Sequence, residues 1–310
     1  MRARSATAAA PASVGNVGVG FDILGHSIEG PADTVRVVRL QEADVRITRI
    51  TGVVPGLPLE ATANTAGRAL LALRERLGLA HGFEITIDKG IPLGSGMGGS
   101  AASCVAALVA ANAVLDVPVA VEALYPCALE GESVASGSLH GDNVGPMLLG
   151  GLVLATADRL VPVPVPPGLT CVLVHPHQVL ETRTARAVLA RPFGLPQFVV
   201  QSANLALVLA GCYRGDLQLI AAGLRDVLVE PLRAPLVPGF ADVQASALSA
   251  GALGASISGG GPSVFAWCTA AGAPRIAQAM AAAFAGHAIG CDVFISPVAG
   301  PAAHVLSCTT

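Results

Sequence analysis

Apolar and polar positions alternate with period two through "DTVRVVRL" (33–40) and "ADVRITRI" (43–50). That spacing puts every second side chain on one face of a strand, and the two segments predict a strand pair. The period then changes: in "NTAGRALLALRERL" Leu70, Leu73 and Leu77 recur three and four residues apart, which predicts a helix with one apolar stripe. "FEITID" returns to a strand, and beyond the stretch "IPLGSGMGGSAAS" (91–103) the spacing predicts a helix from about Ser100 to Leu115. A second helix is expected over roughly 119–135, where Pro126 must start, kink or break it. "GSLHGDNVGP" reads as a loop and "MLLGGLVLAT" as a buried strand.

"VPVPVPPG" (161–168) alternates proline with valine and can continue neither a helix nor a central strand. It marks the expected boundary between a domain over 1–160 and a second over 161–310. Beyond it "LTCVLVH" reads as a strand, and "TRTARAVLA", "QFVVQSANLALVLAGC", "ADVQASALSAG" and "PRIAQAMAAAFAG" read as helices. "GASISGGGPSVFAWC" predicts a strand, a tight glycine turn and a returning strand, and "GCDVFISPV" a final strand. Strands and helices mix without regular βαβ units or a 20–50-residue repeat, so the expected class is α+β.

Composition narrows the function. With 53% hydrophobic and 13% charged residues the chain is far from the disordered regime, and 310 residues suffice for two cores. A net charge of -3 without a basic run argues against a nucleic-acid partner and for a small substrate. The seven cysteines are scattered and never spaced C-x-x-C, which points to reduced thiols in a cytoplasmic protein rather than a disulfide framework or zinc site. Arg2 and Arg4 before an alanine stretch imitate a signal peptide, but Pro11 breaks that stretch. Much of the hydropathy is alanine, so no membrane span is expected.

The glycine-rich stretch before the helix at 100 is where chemistry enters. A glycine loop opening a helix presents backbone N–H groups and the positive end of the helix dipole to an anion. Its sequence lacks the G-K-[ST] ending of the lysine-bearing P-loop and the spacing of a dinucleotide fingerprint. "PLGSGMGGSAAS" instead resembles the phosphate-binding motif of the GHMP kinases. Two further segments agree in order: "PASVGNVGVGFDILG" (11–25) resembles that superfamily's N-terminal substrate motif, and "ISGGGPSVFA" (257–266) its C-terminal glycine motif. Among these kinases the resemblance is to the homoserine kinases. Their pattern is met at Asn16, Gly18, Gly20, Phe21 and Asp22, at Gly131, Glu132, Ser136, Gly137, His140, Asp142 and Asn143, and in "TRTAR" and "EPLR".

The resemblance implies two α+β domains, the first like domain 2 of ribosomal protein S5 and the second ferredoxin-like, with the site between them. It implies ATP and Mg2+ as cofactors and L-homoserine as acceptor. The phosphates would be held by Pro92, Leu93, Gly94, Ser95, Gly96, Met97, Gly98, Gly99, Ser100, Ala101 and Ala102, with adenine near Asn64. Ser100 and Glu132 would hold the metal, and Asn143, Asp142 and Glu132 would form the catalytic group. Arg186 and Arg233 would take the substrate carboxylate, a task suited to the planar guanidinium, and Asp22 and Asp142 the ammonium. Asn16, Asn143 and Gly260 would complete the substrate site. His140 would orient its loop, and His175 and His177 read as strand-end residues, not a metal site. Three positions depart from the family pattern: Gly99 replaces a serine, Gly260 an alanine or serine, and Gly15 an alanine, which is expected to loosen its loop. The resemblance also implies a possible homodimer. A sister kinase for another small alcohol, such as an isoprenoid precursor or shikimate, and a non-catalytic ligand sensor are the alternatives. A substrate without an α-carboxylate would not need the arginine pair.

Overall fold

The computed structural model describes residues 3–137 and 139–310; Arg2 lies outside the described residues, and so does the side chain of Ser136. The first half builds β1 (Ser5–Gly15), β2 (Leu24–Leu40), β3 (Val45–Gly52), α1 (Thr65–Leu77), β4 (Gly82–Lys89), α2 (Gly99–Ala113), α3 (Tyr125–Ser136), α4 (Val144–Leu149), β5 (Leu152–Ala155) and β6 (Leu160–Val163). The second half builds β7 (Leu169–Pro176), α5 (Thr182–Ala187), α6 (Leu195–Arg214), α7 (Leu217–Gly223), α8 (Glu230–Arg233), α9 (Phe240–Ser249), β8 (Gly254–Ile257), β9 (Val264–Thr269), α10 (Ala273–Gly286), β10 (Cys291–Pro297) and β11 (His304–Thr309).

The segments at 33–40 and 43–50 are strands but not partners. β4 inserts between them, antiparallel to β2 (Thr34 opposite Asp88) and parallel to β3 (Val45 opposite Phe83). Alternation decides which face each strand buries and says nothing of its neighbour; the crossover through α1 decides that. Val35, Val37, Phe83, Ile85 and Ile87 are buried on the shared face. α2 lies over it, and α1, with Leu70 and Leu73 buried, packs on α2, α3 and β3, starts on the Asn64 side chain, which accepts from the N–H groups of Ala66 and Gly67, and stops at Gly78. α2 is buried on nearly every side, as a helix apolar all round must be. Its small side chains admit α3 closely: a Cβ on Gly131 would lie 2.6 Å from the Cys104 sulfur. Pro126 sits in the first turn of α3 and so opens the helix. "MLLGGLVLAT" is half helix: α4 ends at Leu149, Gly150 and Gly151 turn at positive φ, and only Leu152–Ala155 is strand.

Two strands cross the expected boundary. β6, carrying Pro162, takes an edge position beside β5, which a proline tolerates. The strand at 291–297 is not the last, because β11 returns to pair antiparallel with β1 (Ser5 opposite Thr309). A cut between 160 and 161 would thus run through β6 and sever β11 from its sheet. The second sheet, ordered β10-β7-β9-β8 and antiparallel, carries α9 and α10 over a core that includes Phe240, Val264, Met280 and Phe284.

His26 and Trp267 weld the two sheets together. Buried His26 accepts from the Trp267 indole N–H through Nε2 (3.1 Å) and bonds the Ser27 carbonyl through Nδ1 (2.9 Å), and burial pushes its pKa down to about 4. α6 is long and apolar enough to cross a membrane by length and composition alone. Here Gln201 bonds the Val19 carbonyl and the Val227 N–H, and Asn204 bonds the Arg225 carbonyl, tying α6 to neighbouring loops.

Candidate active site

The glycine loop lies where the two domains meet. Gly94, Gly96 and Gly98 all have positive φ, and at Gly96 the need is steric as well: a Cβ would fall 2.5 Å from the Ser258 carbonyl oxygen. The turn at 258–263 clasps this loop, Ser258 Oγ donating to the Gly96 carbonyl (2.7 Å) and Ser263 Oγ to that of Ser95 (2.6 Å). Between loop, turn, α5 and the loop before α4 opens a cavity of about 640 Å³. Pro92, Leu93, Gly94, Ser95, Gly96, Gly98, Gly99 and Ser100 line it. Met97, Ala101 and Ala102 are buried and do not line it. Neither does Asn64, whose amide is spent capping α1 and donating to the Pro58 carbonyl (3.0 Å). α2 begins at Gly99 with no side-chain cap, so its first-turn amides are the donors an anion would meet.

Beneath the loop is a buried ion pair. Lys89 Nζ donates to the Asp33 carboxylate, to the Gly99 carbonyl and to Ser103 Oγ (2.9 Å), while the other Asp33 oxygen accepts from the N–H groups of Gly90 (3.0 Å) and Ile91 (3.1 Å). This network fixes the start of α2 relative to β2 and β4. Sequence reasoning missed it; the one signal was the chain's single lysine directly ahead of the loop.

Ser100 Oγ donates to Glu132 Oε1 at 2.8 Å, and both line the cavity. Burial lifts the Glu132 carboxyl to about 7, although the Ser100 hydrogen bond and nearby His140 pull the other way. Two hard oxygens at the mouth of an amide-lined loop are a donor set suited to Mg2+, which takes few protein ligands and keeps water and phosphate for the rest.

At the other end charged side chains converge from both domains. Asp142 Oδ2 accepts the Asn16 N–H (3.0 Å), and its Oδ1 lies 3.3 Å from His140 Nδ1. Burial would lower the His140 pKa, but the hydrogen bond and charge of Asp142, aided by Asp22, raise it on balance. Asn143 Oδ1 accepts from Ser13 Oγ at 2.8 Å. Asn16, at φ 67°, accepts the Asp22 N–H on Oδ1 (2.8 Å) and donates from Nδ2 to the Gly259 carbonyl (2.8 Å). Arg186 grips the Asp22 carboxylate with both Nη groups, at 2.9 and 3.2 Å. Arg233 is buried, its Nε on the Ala185 carbonyl (3.0 Å) and Nη1 on that of Gly259 (2.9 Å). Burial and the charge of Arg186 lower its pKa. Both guanidiniums lie over the Phe21 ring, at 5.7 Å for Arg186 and 5.3 Å for Arg233. That aromatic, a motif position without a role in the sequence reading, is in contact range of both like charges.

This geometry joins an amide cradle, a hard-oxygen pair and a carboxylate-holding end in one cleft. The sequence comparisons agree with it. The GHMP kinases N terminal domain matches residues 64–151 and the GHMP kinases C terminal domain residues 208–286. The chain is 60% identical to the homoserine kinase of Xanthomonas campestris pv. campestris (strain B100), over 98% of this chain and 95% of that one. The chain belongs to the homoserine kinase family of GHMP kinases. It is also 41% identical to the homoserine kinase of Chloroherpeton thalassium (strain ATCC 35110 / GB-78), over 98% of this chain and 100% of that one. The crystal structure of homoserine kinase from Cytophaga hutchinsonii ATCC 33406 superposes with a TM-score of 0.93 at 44% identity, covering 98% of both chains. The two-domain GHMP kinase fold expected from the motifs is therefore the fold of this chain.

Against that family pattern two of the three glycine departures acquire steric reasons. Gly15 does not loosen a loop: it ends β1, and a Cβ there would lie 2.5 Å from Asp142 Oδ2 and 3.0 Å from the Asn143 amide. Gly99 is also confined, with Ile91 at 3.1 Å, whereas Gly260 has room, its nearest atom being the Ala185 Cβ at 3.5 Å. His175 bonds Ser263 Oγ (3.1 Å), and His177 faces Asp292 (3.3 Å).

Proposed function

We propose that the protein transfers the γ-phosphoryl group of ATP to the side-chain hydroxyl of L-homoserine, giving O-phospho-L-homoserine and ADP, a step toward threonine. The observation that carries this reading is the juxtaposition, in one cavity, of the glycine loop with two arginines and two aspartates. Phosphoryl transfer needs positioning and charge neutralisation more than covalent chemistry from the protein. The amides of 94–100 and the N-terminus of α2 hold the phosphates, with Ser100 and Glu132 as the Mg2+ ligands; bound there, the metal neutralises phosphate charge. Arg186 and Arg233 take the amino-acid carboxylate, Asp22 and Asp142 the ammonium, and Asn16 and Asn143 orient the hydroxyl. Gly260 lets the substrate backbone approach. The hydroxyl oxygen attacks the γ-phosphorus, the bond to the β-phosphate oxygen breaks, and the hydroxyl proton passes to a phosphoryl oxygen or water. Asp142 binds and positions substrate, since its oxygens already meet Asn16 and His140. The same reading keeps the enzyme cytoplasmic, without nucleic-acid or membrane partners, and a homodimer as its assembly.

The test is a coupled ADP-release assay with MgATP, comparing L-homoserine with L-threonine, L-serine, mevalonate and shikimate. Turnover confined to homoserine supports the reading. Preference for an alcohol lacking an α-carboxylate overturns the substrate, and ATP binding without turnover on any of them turns the protein into a sensor.

A further inference from the structure

We infer that Asp22 is an internal stand-in for the substrate carboxylate, and that a zwitterionic substrate enters by exchanging ion pairs: its carboxylate replaces Asp22 on Arg186 while its ammonium takes Asp22. The inference rests on the homoserine reading above and assigns its specificity to a displacement. Both terminal nitrogens of Arg186 are already committed to Asp22 in the protein alone. The Arg186 Nε is buried, so an incoming carboxylate must compete with Asp22 for the Nη edge. Arg233, with Nε and Nη1 on backbone carbonyls, can supplement Arg186 on a carboxylate but presents no free fork of its own.

The pair is built to open. Asp22 and Arg186 each keep 27% of their side-chain surface and both line the cavity, so a solute reaches them. Asn16 pins the Asp22 backbone at φ 62°, so the carboxylate moves by side-chain rotation alone. Phe21 lies under the Arg186 guanidinium and holds it in place when Asp22 lets go. Charge decides what can drive the exchange. Asp22 and Asp142 face Arg186 and Arg233, with His140 beside Asp142, and a zwitterion adds no net charge to this group. A hydroxy acid without the amino group takes Arg186 and leaves Asp22, a half-buried carboxylate, without its bidentate partner and with only the His140 ring nearby, which is costly.

The experiment measures KM and kcat for L-homoserine and for 4-hydroxybutanoate, the same chain without the ammonium, in the wild type and in Asp22→Asn. Exchange predicts a crossover: the variant raises KM for homoserine about tenfold or more and lowers KM for 4-hydroxybutanoate by a similar factor, since Arg186 is then free. Asp22→Glu restores the wild-type order. KM rising for both compounds, or unchanged for 4-hydroxybutanoate, overturns the inference. Unchanged MgATP binding shows that the variant is folded, and Asp22→Ser repeats the measurement with a smaller side chain. Absence of wild-type turnover on homoserine removes the substrate reading itself, an outcome distinct from homoserine turnover without the crossover.

Discussion

The two ends of the cavity are built by different means. The end proposed to hold phosphate is backbone: glycines at positive φ, the uncapped start of α2, and a buried Lys89–Asp33 pair that holds that start in place. The substrate end is side chains, with Asp142 and Asn16 from the first domain facing Arg186 and Arg233 from the second. Backbone donors cannot be deleted by one substitution but fail when their support fails. Side-chain donors are removed singly and change selectivity before they change folding.

Substitutions at the two ends sharpen that contrast. The largest effect is expected at Glu132: Glu132→Ala should lower kcat by about a hundredfold or more through loss of charge stabilisation at the transferring group, with the homoserine KM little changed. Lys89→Met strands the buried Asp33 carboxylate and should cost about 3 to 5 kcal/mol of stability, read as a lowered denaturation midpoint. If activity fell while stability held, Lys89 would belong to the chemistry rather than to the support. At the substrate end Arg233→Ala should raise the homoserine KM about tenfold to a hundredfold while ATP binding stays unchanged. A matching loss of ATP affinity would mean that the two ends are not separable. Phe21→Leu keeps bulk but removes the ring face and should raise the homoserine KM by a few-fold, in line with a cation–π contact of about 1 kcal/mol.

Glu132 also sets a pH signature for the phosphate end. Its carboxyl titrates near 7 in the folded chain against 4.5 ordinarily. Between those values the folded state holds a proton that the unfolded state has lost, so metal-free stability falls as pH rises through this window. With Glu132 as the proposed Mg2+ ligand, binding requires the carboxylate, expels the proton and tightens as pH rises toward 7. Melting curves across this range should fall with pH without MgCl2 and run nearly flat with it, the stabilisation by Mg2+ growing toward pH 7, and Glu132→Gln should remove the pH dependence of both.

Much of the site was legible because its parts are local. A glycine loop, a helix start, and the motifs around Asn16, Glu132, Arg186 and Arg233 each fit within a short segment, and their order along the chain named the family. Pro126 and Asn64 show the limit on the same scale: the sequence marked each as special, yet whether Pro126 broke or opened α3, and whether Asn64 faced a ligand or capped α1, depended on neighbours. The buried network around Lys89 left no local pattern, because its partners Asp33 and Ser103 lie 56 and 14 residues away.

By itself the sequence determined the strand faces, most helices, the α+β class and the kinds of chemical group the cleft holds, all consequences of periodicity and residue type. Only the tertiary structure decided that β4 separates β2 from β3, that β11 closes the edge of β1, that Gly15 must be small because Asp142 lies against it, and that Arg186 is already paired with Asp22. The reason is common to all four. Each depends on which surfaces are buried together across long separations in the chain, and that choice is made by packing and charge pairing in three dimensions, which no local pattern encodes.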